Sequence, residues 1–221
     1  MSVNFGLDAD RVLRVDTPLG AIRRRLTGRY AVDEFGGDPH LMDLLAGVAR
    51  LAVTVDGADR VPRLGPALLV ANRGVGVLEP LALIRAVRDT AGRRLRVVGA
   101  PELPVVGDAL RTVGAIGYRA DDVAAMLRAG HLTAAPLSPT WLQRGPGEPP
   151  RRLVAATLGF PLLPVAVQPG FPLDLPGRRW RVRFGAALQP PPGTPPDDRL
   201  VAAELADAVR DAVRDLLEDP R

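Results

Sequence analysis

The sequence predicts a single α/β domain, built on a central and mostly parallel sheet that is flanked by helices. Short apolar runs alternate with amphipathic segments along most of the 221 residues, and this alternation is typical of an α/β sheet. Some runs are apolar throughout, such as ALLVA at residues 67–71, as expected of strands buried on both faces. The composition, 47% hydrophobic and 24% charged, is that of a globular chain long enough to enclose one sizeable core.

Apolar spacing and Pro or Gly boundaries define the elements of the first half. An Asp–Pro pair at Asp38 starts a helix, because apolar residues then recur at helical spacing. Gly92 stops a second helix that begins near Pro80. In order, the predicted elements are a helix over 38–53, strands over 51–57 and 67–72, a helix over 80–92, a strand over 95–100, a mostly helical stretch over 101–114 and a short strand or turn over 115–118.

The second half continues the alternation. Asp121 caps a helix that Gly130 ends. The stretch RWRVRFG at residues 179–185 alternates polar and apolar residues like an edge strand. Two Pro- and Gly-rich stretches, 136–150 and 188–196, are predicted as a long loop and a linker. The remaining elements are helices over 121–130, 151–159 and 197–219, and strands over 131–137, 162–168 and 179–185.

We divide the chain into a basic N-terminal helical segment, residues 1–32, and an α/β domain, residues 33–221. In the segment, arginines face one side and apolar residues the other. This pattern fits either a helix docked on the core or a helix that contacts a membrane surface. A second membrane candidate is Trp141, in the long loop beside Arg144, which fits either an interfacial position or packing on the core.

Charge and composition limit the function classes. The formal net charge is +4, and the basic side chains are all arginine; this suits an anionic ligand or an acidic membrane surface. No basic run is interleaved with aromatic residues, so nucleic-acid binding is not predicted. The absence of cysteine excludes disulfides, thiolate metal sites and a Cys nucleophile, and no metal or cofactor is predicted. Because apolar runs are shorter than the ~20 residues of a membrane span, we expect a cytoplasmic protein that can associate peripherally with the inner face of the membrane.

The strand at 67–72 leads into a turn where many α/β enzymes place their chemistry. Asn72 ends the strand, and the turn contains Arg73 and Gly74 but neither a nucleophile nor a general base. Glu79 stands at its far end.

The order of motifs resembles the glycerophospholipid, or 1-acylglycerol-3-phosphate, acyltransferase family, whose members acylate lysophosphatidic acid and related lipids. GPALLVAN at 65–72 resembles the lead-in to that family's first block, Asn-His-x4-Asp. LPVVGDALRTVGAIGYR at 103–119 resembles the second, with Arg119 where the family has a phosphate-contacting arginine. DDVAAMLRAGHLTAAPLSPT at 121–140 leads into the third, Phe-Pro-Glu-Gly-Thr. LGFPLLPVAV at 158–167 resembles the fourth, with Pro164 central. The stretch at 33–45 also resembles an N-terminal region of some bacterial members.

The departures from the family fall on the residues of catalysis. Arg73 occupies the position of the catalytic histidine, and Leu78 that of its carboxylate partner. Residues 135–139 read APLSP, without the Glu and Gly of the third block. In the family the histidine takes a proton from the acceptor hydroxyl, and the acid holds the imidazole in place. An arginine stays protonated and cannot take that role. The loss of one member of such a unit costs a factor on the order of 10³ to 10⁶ in rate.

Candidate site residues follow from the resemblance and from the turn. Asn72, Arg73, Gly74 and Arg119 are predicted to bind substrate, because two guanidinium groups near a helix start can hold a phosphate or carboxylate. Alternatively, Arg73 pairs with Glu79 and closes an empty pocket. Glu79 is the one candidate for a catalytic base. The histidines are predicted to have no catalytic role: His40, in a first helical turn, is structural or at the surface, and His131, at a strand start, lies on the opposite side of the sheet from the third block.

Three functions stay open on the sequence. The first is a catalytically impaired acyltransferase-fold protein, a pseudoenzyme that binds anionic lipid, acyl-CoA or an acyl carrier, or that serves an active enzyme as its partner. The second is active acyl transfer to a lysophospholipid-type acceptor with Glu79 as base. The third is a non-catalytic interaction module that uses the apolar stripe of the C-terminal helix, formed by Leu200, Leu205, Val209, Val213 and Leu216. The protein partner is not predicted.

Overall fold

The structure, a computed structural model, describes residues 32–48, 51–72, 78–99, 110–117, 119–137, 150–169 and 179–219, together with Arg23, Thr27 and Gly28. Its helices are α1 (Pro39–Val48), α2 (Glu79–Ala91), α3 (Ala120–Arg128), α4 (Pro150–Ala156) and α5 (Arg199–Glu218). Its strands are β1 (Ala52–Asp56), β2 (Ala67–Ala71), β3 (Leu95–Val98), β4 (Ala115–Ile116), β5 (Leu132–Pro136), β6 (Leu162–Pro169) and β7 (Arg179–Phe184). The predicted N-terminal segment falls almost entirely outside these residues, so its boundary at residue 32 stays a prediction.

One seven-stranded sheet runs through the domain in the order β1-β7-β6-β2-β5-β3-β4. Strands β2 to β6 run parallel to one another, and the β6–β7 pair is antiparallel. β1 is parallel to β7 and completes the sheet on that side. This confirms the predicted α/β class with a mostly parallel sheet. The carboxyl ends of five strands therefore meet at one edge, which we call the carboxyl edge; the opposite one is the amino edge.

Each face of the sheet carries its own apolar core. On one face, α2 packs Ala82, Leu83, Ala86 and Val87 against a cluster that includes Trp180 of β7. On the other face, α3, α4 and α5 share a second cluster, to which Val209 belongs. Successive side chains of β2 point to opposite faces: Leu69 belongs to the first cluster and Leu68 to the second. Helices on both faces explain why β2 is buried at all five positions.

Two helix boundaries coincide with capping residues, and two predicted helical stretches differ from the observed ones. α5 begins after Asp198, whose carboxylate accepts the backbone N–H of Leu200 and Val201. α2 ends at Gly92, which has a left-handed φ of 67°. The first predicted helix is too long: α1 ends at Val48, and β1 begins at Ala52. Only residues 110–112 of the predicted helical stretch 101–114 are described as helical.

The prediction of an edge strand at residues 179–185 is wrong. β7 lies inside the sheet, between β1 and β6, while β1 forms that edge. The alternation of β7 arises because its arginines face polar groups on the side away from Trp180. Arg183 donates to the Leu216 carbonyl at 2.7 Å and to the Asp219 carbonyl, at the C-terminal end of α5. A cation at a helix C-terminus offsets the negative end of the helix dipole, so a buried strand can retain this charge.

Candidate active site at the carboxyl edge

The end of β2 lines a small cavity of about 60 Å³ at the carboxyl edge. Among the described residues in its wall, Asn72 and Glu79 are polar, and Glu79 alone is ionisable. The others are apolar: Ala71, Pro80, Leu83, Val97, Val98, Ala134, Ala135, Pro136 and Val167. They come from β2, β3, β5, β6 and α2. The cavity therefore lies at the carboxyl ends of parallel strands, the place where open α/β sheets bind ligands.

Asn72 is held by hydrogen bonds to β6. Its Nδ2 donates to the Val167 carbonyl at 2.9 Å, and its Oδ1 accepts the Val167 N–H at 2.6 Å. The Asn72 backbone N–H donates to the Val165 carbonyl at 3.2 Å. The side-chain amide thus acts like one more residue of the β2–β6 ladder. The predicted role of Asn72 in substrate binding stays a prediction, and its structural role is visible.

Glu79 is the first residue of α2 and is 7% exposed. A carboxylate at the first turn of a helix interacts favourably with the positive end of the helix dipole. The helix start thus places this acid in the cavity wall, whether or not it takes part in chemistry. Its predicted role as a base stays open.

Arg119 occupies a different part of the carboxyl edge. It is exposed, in extended backbone conformation, and immediately precedes α3 in the loop after β4. β4 stands three strands from β2, which corresponds to about 14 Å at the usual strand spacing. Arg119 is not in the described wall of the cavity. Arg73 and Gly74 lie outside the described residues, so their joint action with Arg119 stays a prediction.

Apolar packing occupies the two positions where the resemblance would place carboxylates. Leu78 is half-buried and packs against the core on the α2 face. Leu137 packs against the other core, and its N–H donates to the Ala71 carbonyl at 2.8 Å. A carboxylate at either position would lose the packing contacts that these leucines make. Both leucines therefore contribute to the packing of the core.

Both histidines of the chain lie at the amino edge. His131 immediately precedes β5, whose first residue, Leu132, pairs with Ala67 at the start of β2. His40 lies in the first turn of α1, where Asp38 donates its N–H to Thr112 at 2.8 Å. Because Thr112 precedes β4, this turn also stands at the amino edge. Since the sequence contains two histidines, no imidazole of this chain stands at the cavity beside Asn72.

A charged cluster at the amino edge was not predicted from the sequence. Arg96 of β3 is 3% exposed, and its Nη2 donates to Asp33. Asp43 of α1 accepts from Arg94 at 2.8 Å and from Arg88 at 2.5 Å. Burial alone would raise the pKa of Asp43, but Arg94 and Arg88 outweigh it, and the pKa lies below its ordinary value. The one sequence signal was an arginine inside the apolar strand LRVV.

Two kinds of site are absent from the described part of the chain. No group of three or more His, Asp or Glu side chains there could hold a metal ion. Within the same residues, no helix combines the length and apolar character that crossing a membrane requires.

A solved structure shares this architecture. It is the crystal structure of the 1-acyl-sn-glycerophosphate (LPA) acyltransferase PlsC from Thermotoga maritima, with a TM-score of 0.52 over 82% of each chain and 14% sequence identity. At that identity the similarity shows the fold. The chain is therefore an α/β protein with an acyltransferase-like fold.

No family model matches the sequence, but curated mycobacterial proteins do. The uncharacterized protein Rv0502 of Mycobacterium tuberculosis is 31% identical over an alignment of 258 positions, which covers 90% of this chain and 72% of the relative. The uncharacterized protein ML2427 of Mycobacterium leprae is also 31% identical, over 90% of this chain and 70% of its own length. The chain belongs to the same family as these mycobacterial proteins.

Proposed function

We propose that the protein keeps the acyltransferase frame as a binding protein for an anionic lipid, acyl-CoA or an acyl carrier, with acyl transfer impaired or lost. The position of the histidines carries this proposal. The family that the sequence resembles uses an imidazole after β2 to deprotonate the acceptor hydroxyl. Here both imidazoles stand at the amino edge, at the other end of the parallel strands.

The chemistry of the cavity supports binding more than catalysis. Its described wall is apolar apart from Asn72 and Glu79, and Asn72 is committed to Val167. An apolar wall suits hydrocarbon, and about 60 Å³ has room for the end of an acyl chain. Arg73 and Arg119, if they converge, supply positive charge for a phosphate or carboxylate headgroup.

A binding experiment tests the proposal. Native mass spectrometry of protein purified from its own host is expected to show a retained lipid or acyl carrier. Calorimetric titration with acyl-CoA and with lysophosphatidic acid is expected to show saturable binding of at least one of them. Arg119→Gln should weaken that binding roughly tenfold, the loss of one charge-assisted contact. Arg128→Gln, an exposed arginine at the other end of α3, is the matched control. Binding of neither ligand, with no retained lipid, refutes the proposal.

Active acyl transfer with Glu79 as base is the second candidate. The observation that favours it is the burial of this carboxylate in the cavity wall. If Glu79 is the base, Glu79→Gln abolishes release of CoA from acyl-CoA in the presence of lysophosphatidic acid. The same substitution at Glu204, an exposed residue of α5, leaves the rate unchanged.

The apolar stripe of α5 gives little support to the interaction module. Leu205 and Val209 are buried in the core that α5 shares with α3 and α4, Val213 is also buried, and Leu216 is half-buried. Leu200 is exposed at the start of the helix, and a single exposed leucine does not make a docking surface.

A further inference from the structure

A larger cavity opens at the amino edge, on the opposite side of the molecule from the site proposed above. Its volume is about 470 Å³, within the range of small-molecule sites. It forms where α2 ends, where β3 and β5 begin and where α1 crosses. The charged and titratable residues of its wall are Arg88, Arg93, Arg94, Arg96, His131, Asp33 and Asp43.

The wall carries more positive than negative charge. Four guanidinium groups face two carboxylates. Asp43 is shared by Arg88 and Arg94, so one of these two charges has no carboxylate of its own. Arg93 donates to the carbonyls of Pro62, Gly65 and Gly130, and within the described residues it has no carboxylate partner. Counted over the described residues that line it, the wall therefore has an excess of two positive charges, with the carboxylate of Glu34 near His131 outside this count.

Arg96 adds an unsatisfied donor at the same place. Its Nη2 donates to Asp33, which also accepts the N–H groups of Phe35 and Gly37 at 3.0 and 2.9 Å. Its Nη1 is buried and has no hydrogen-bond partner in the described structure. The guanidinium lies directly over Gly37, where a Cβ would come within 2.2 Å of Nη1. A buried, charged donor without an acceptor is costly, and an anion in the cavity would offset the charge of this guanidinium.

His131 completes the wall. Its ring meets Phe35 edge to face, with 5.5 Å between ring centroids. Burial lowers the pKa of His131, and the charges of Arg96 and Arg93 lower it further, against an opposing effect of Glu34. The ring is therefore neutral near pH 7 and can offer one N–H donor or one acceptor to a ligand.

We propose that this cavity binds the phosphate group of a small ligand or a lipid headgroup. A phosphate dianion matches the excess charge, and its oxygens match the fork of a guanidinium. The C-terminal ends of α2 and α3 also lie at this edge, and the negative ends of their helix dipoles stabilise part of the arginine charge. They do not account for the unsatisfied Nη1 of Arg96. This site is independent of the proposed acyl-ligand site at the carboxyl edge.

Calorimetric titration with inorganic phosphate tests the proposal. Saturable binding to the wild type is expected, and Arg94→Gln should weaken it about tenfold or more, as expected for the loss of a charge-assisted contact. Arg94 is half-exposed, and its loss leaves Arg88 on Asp43, so the fold should persist; a melting curve checks this. Arg85→Gln is the matched control, because Arg85 lies on α2, shortly before Arg94 in the chain, and pairs with Asp89 outside the cavity.

NMR of the two histidines gives an independent readout that a purely structural cluster would not produce. Sulfate, a dianion that does not titrate near neutral pH, should raise the pKa of His131 on binding. The pKa of His40, which is exposed and not in the wall, should stay constant. His131→Asn assigns the signal.

Vesicles distinguish the two sources of phosphate. If the ligand is a lipid headgroup, the wild type sediments with phosphatidylcholine vesicles that contain phosphatidic acid, and Arg94→Gln does not. Binding of inorganic phosphate without such sedimentation identifies a small ligand. The proposal is overturned if no saturable binding appears up to about 10 mM phosphate, where even a weak site would fill, and the vesicles do not bind. The proposal is also overturned if Arg94→Gln and Arg85→Gln weaken phosphate binding equally.

Discussion

Replacing Asn72 tests how the candidate site is built. In Asn72→Ala, the two hydrogen bonds to Val167, at 2.9 and 2.6 Å, are lost. Val167 is 2% exposed, so water cannot readily replace the amide. Two bonds worth about 1 kcal/mol each, plus the cost of leaving buried backbone groups unpaired, give a loss of about 2–4 kcal/mol in the free energy of unfolding.

Urea unfolding followed by circular dichroism measures this loss. Gln189→Ala is the control, because it removes an exposed side-chain amide and should change the free energy of unfolding by less than about 0.5 kcal/mol. Asn72→Asp keeps the shape but loses the Nδ2 donor and sets a charge against the Val167 carbonyl, so it should cost at least as much as the alanine. If Asn72→Ala unfolds like the wild type and only weakens ligand binding, the residue is a substrate contact and the structural argument fails.

Three further changes probe the core, a helix end and the amino edge. Trp180→Ala, at a residue 2% exposed, should lower the free energy of unfolding by about 3–5 kcal/mol in urea. Gly92→Ala, at φ 67°, should cost about 1 kcal/mol, whereas Gly159→Ala, with open space and no left-handed φ, should be neutral in the same melts. Because the pKa of folded His131 is lowered, the wild type should lose stability as the pH falls below about 6.5; His131→Asn should show a flatter profile between pH 7 and 5.

The sequence predicted the fold class because the period of its apolar residues changes from element to element. The uninterrupted run at β2 indicated burial on both faces, and the structure confirms it. The place of β7 could not be predicted, because its arginines resemble solvent-exposed residues. What buries Arg183 is the end of α5, more than 30 residues later in the chain. A charged residue whose hydrogen-bond acceptors lie far away in the sequence has the same local pattern as a solvent-exposed one.

The candidate site was predictable in position but not in detail. The strand–turn–helix pattern indicated the end of β2, and the structure places a cavity there. The hydrogen bonds between Asn72 and Val167 join residues 95 positions apart in the sequence. No local signal could therefore show that the side-chain amide of Asn72 bonds to the backbone of β6. The position of His131 followed from its place before a strand, because the two ends of a parallel strand lie at opposite edges. Arg96 was missed because its acceptor, Asp33, lies 63 residues away.

Release of CoA under single-turnover conditions tests the central claim most directly. With protein in excess over labelled acyl-CoA and with lysophosphatidic acid present, we predict a rate equal to that without protein, because the chain places no imidazole beside the cavity. A faster, protein-dependent rate that yields acylated lipid, and that Glu79→Gln abolishes while Glu204→Gln preserves, would contradict the account.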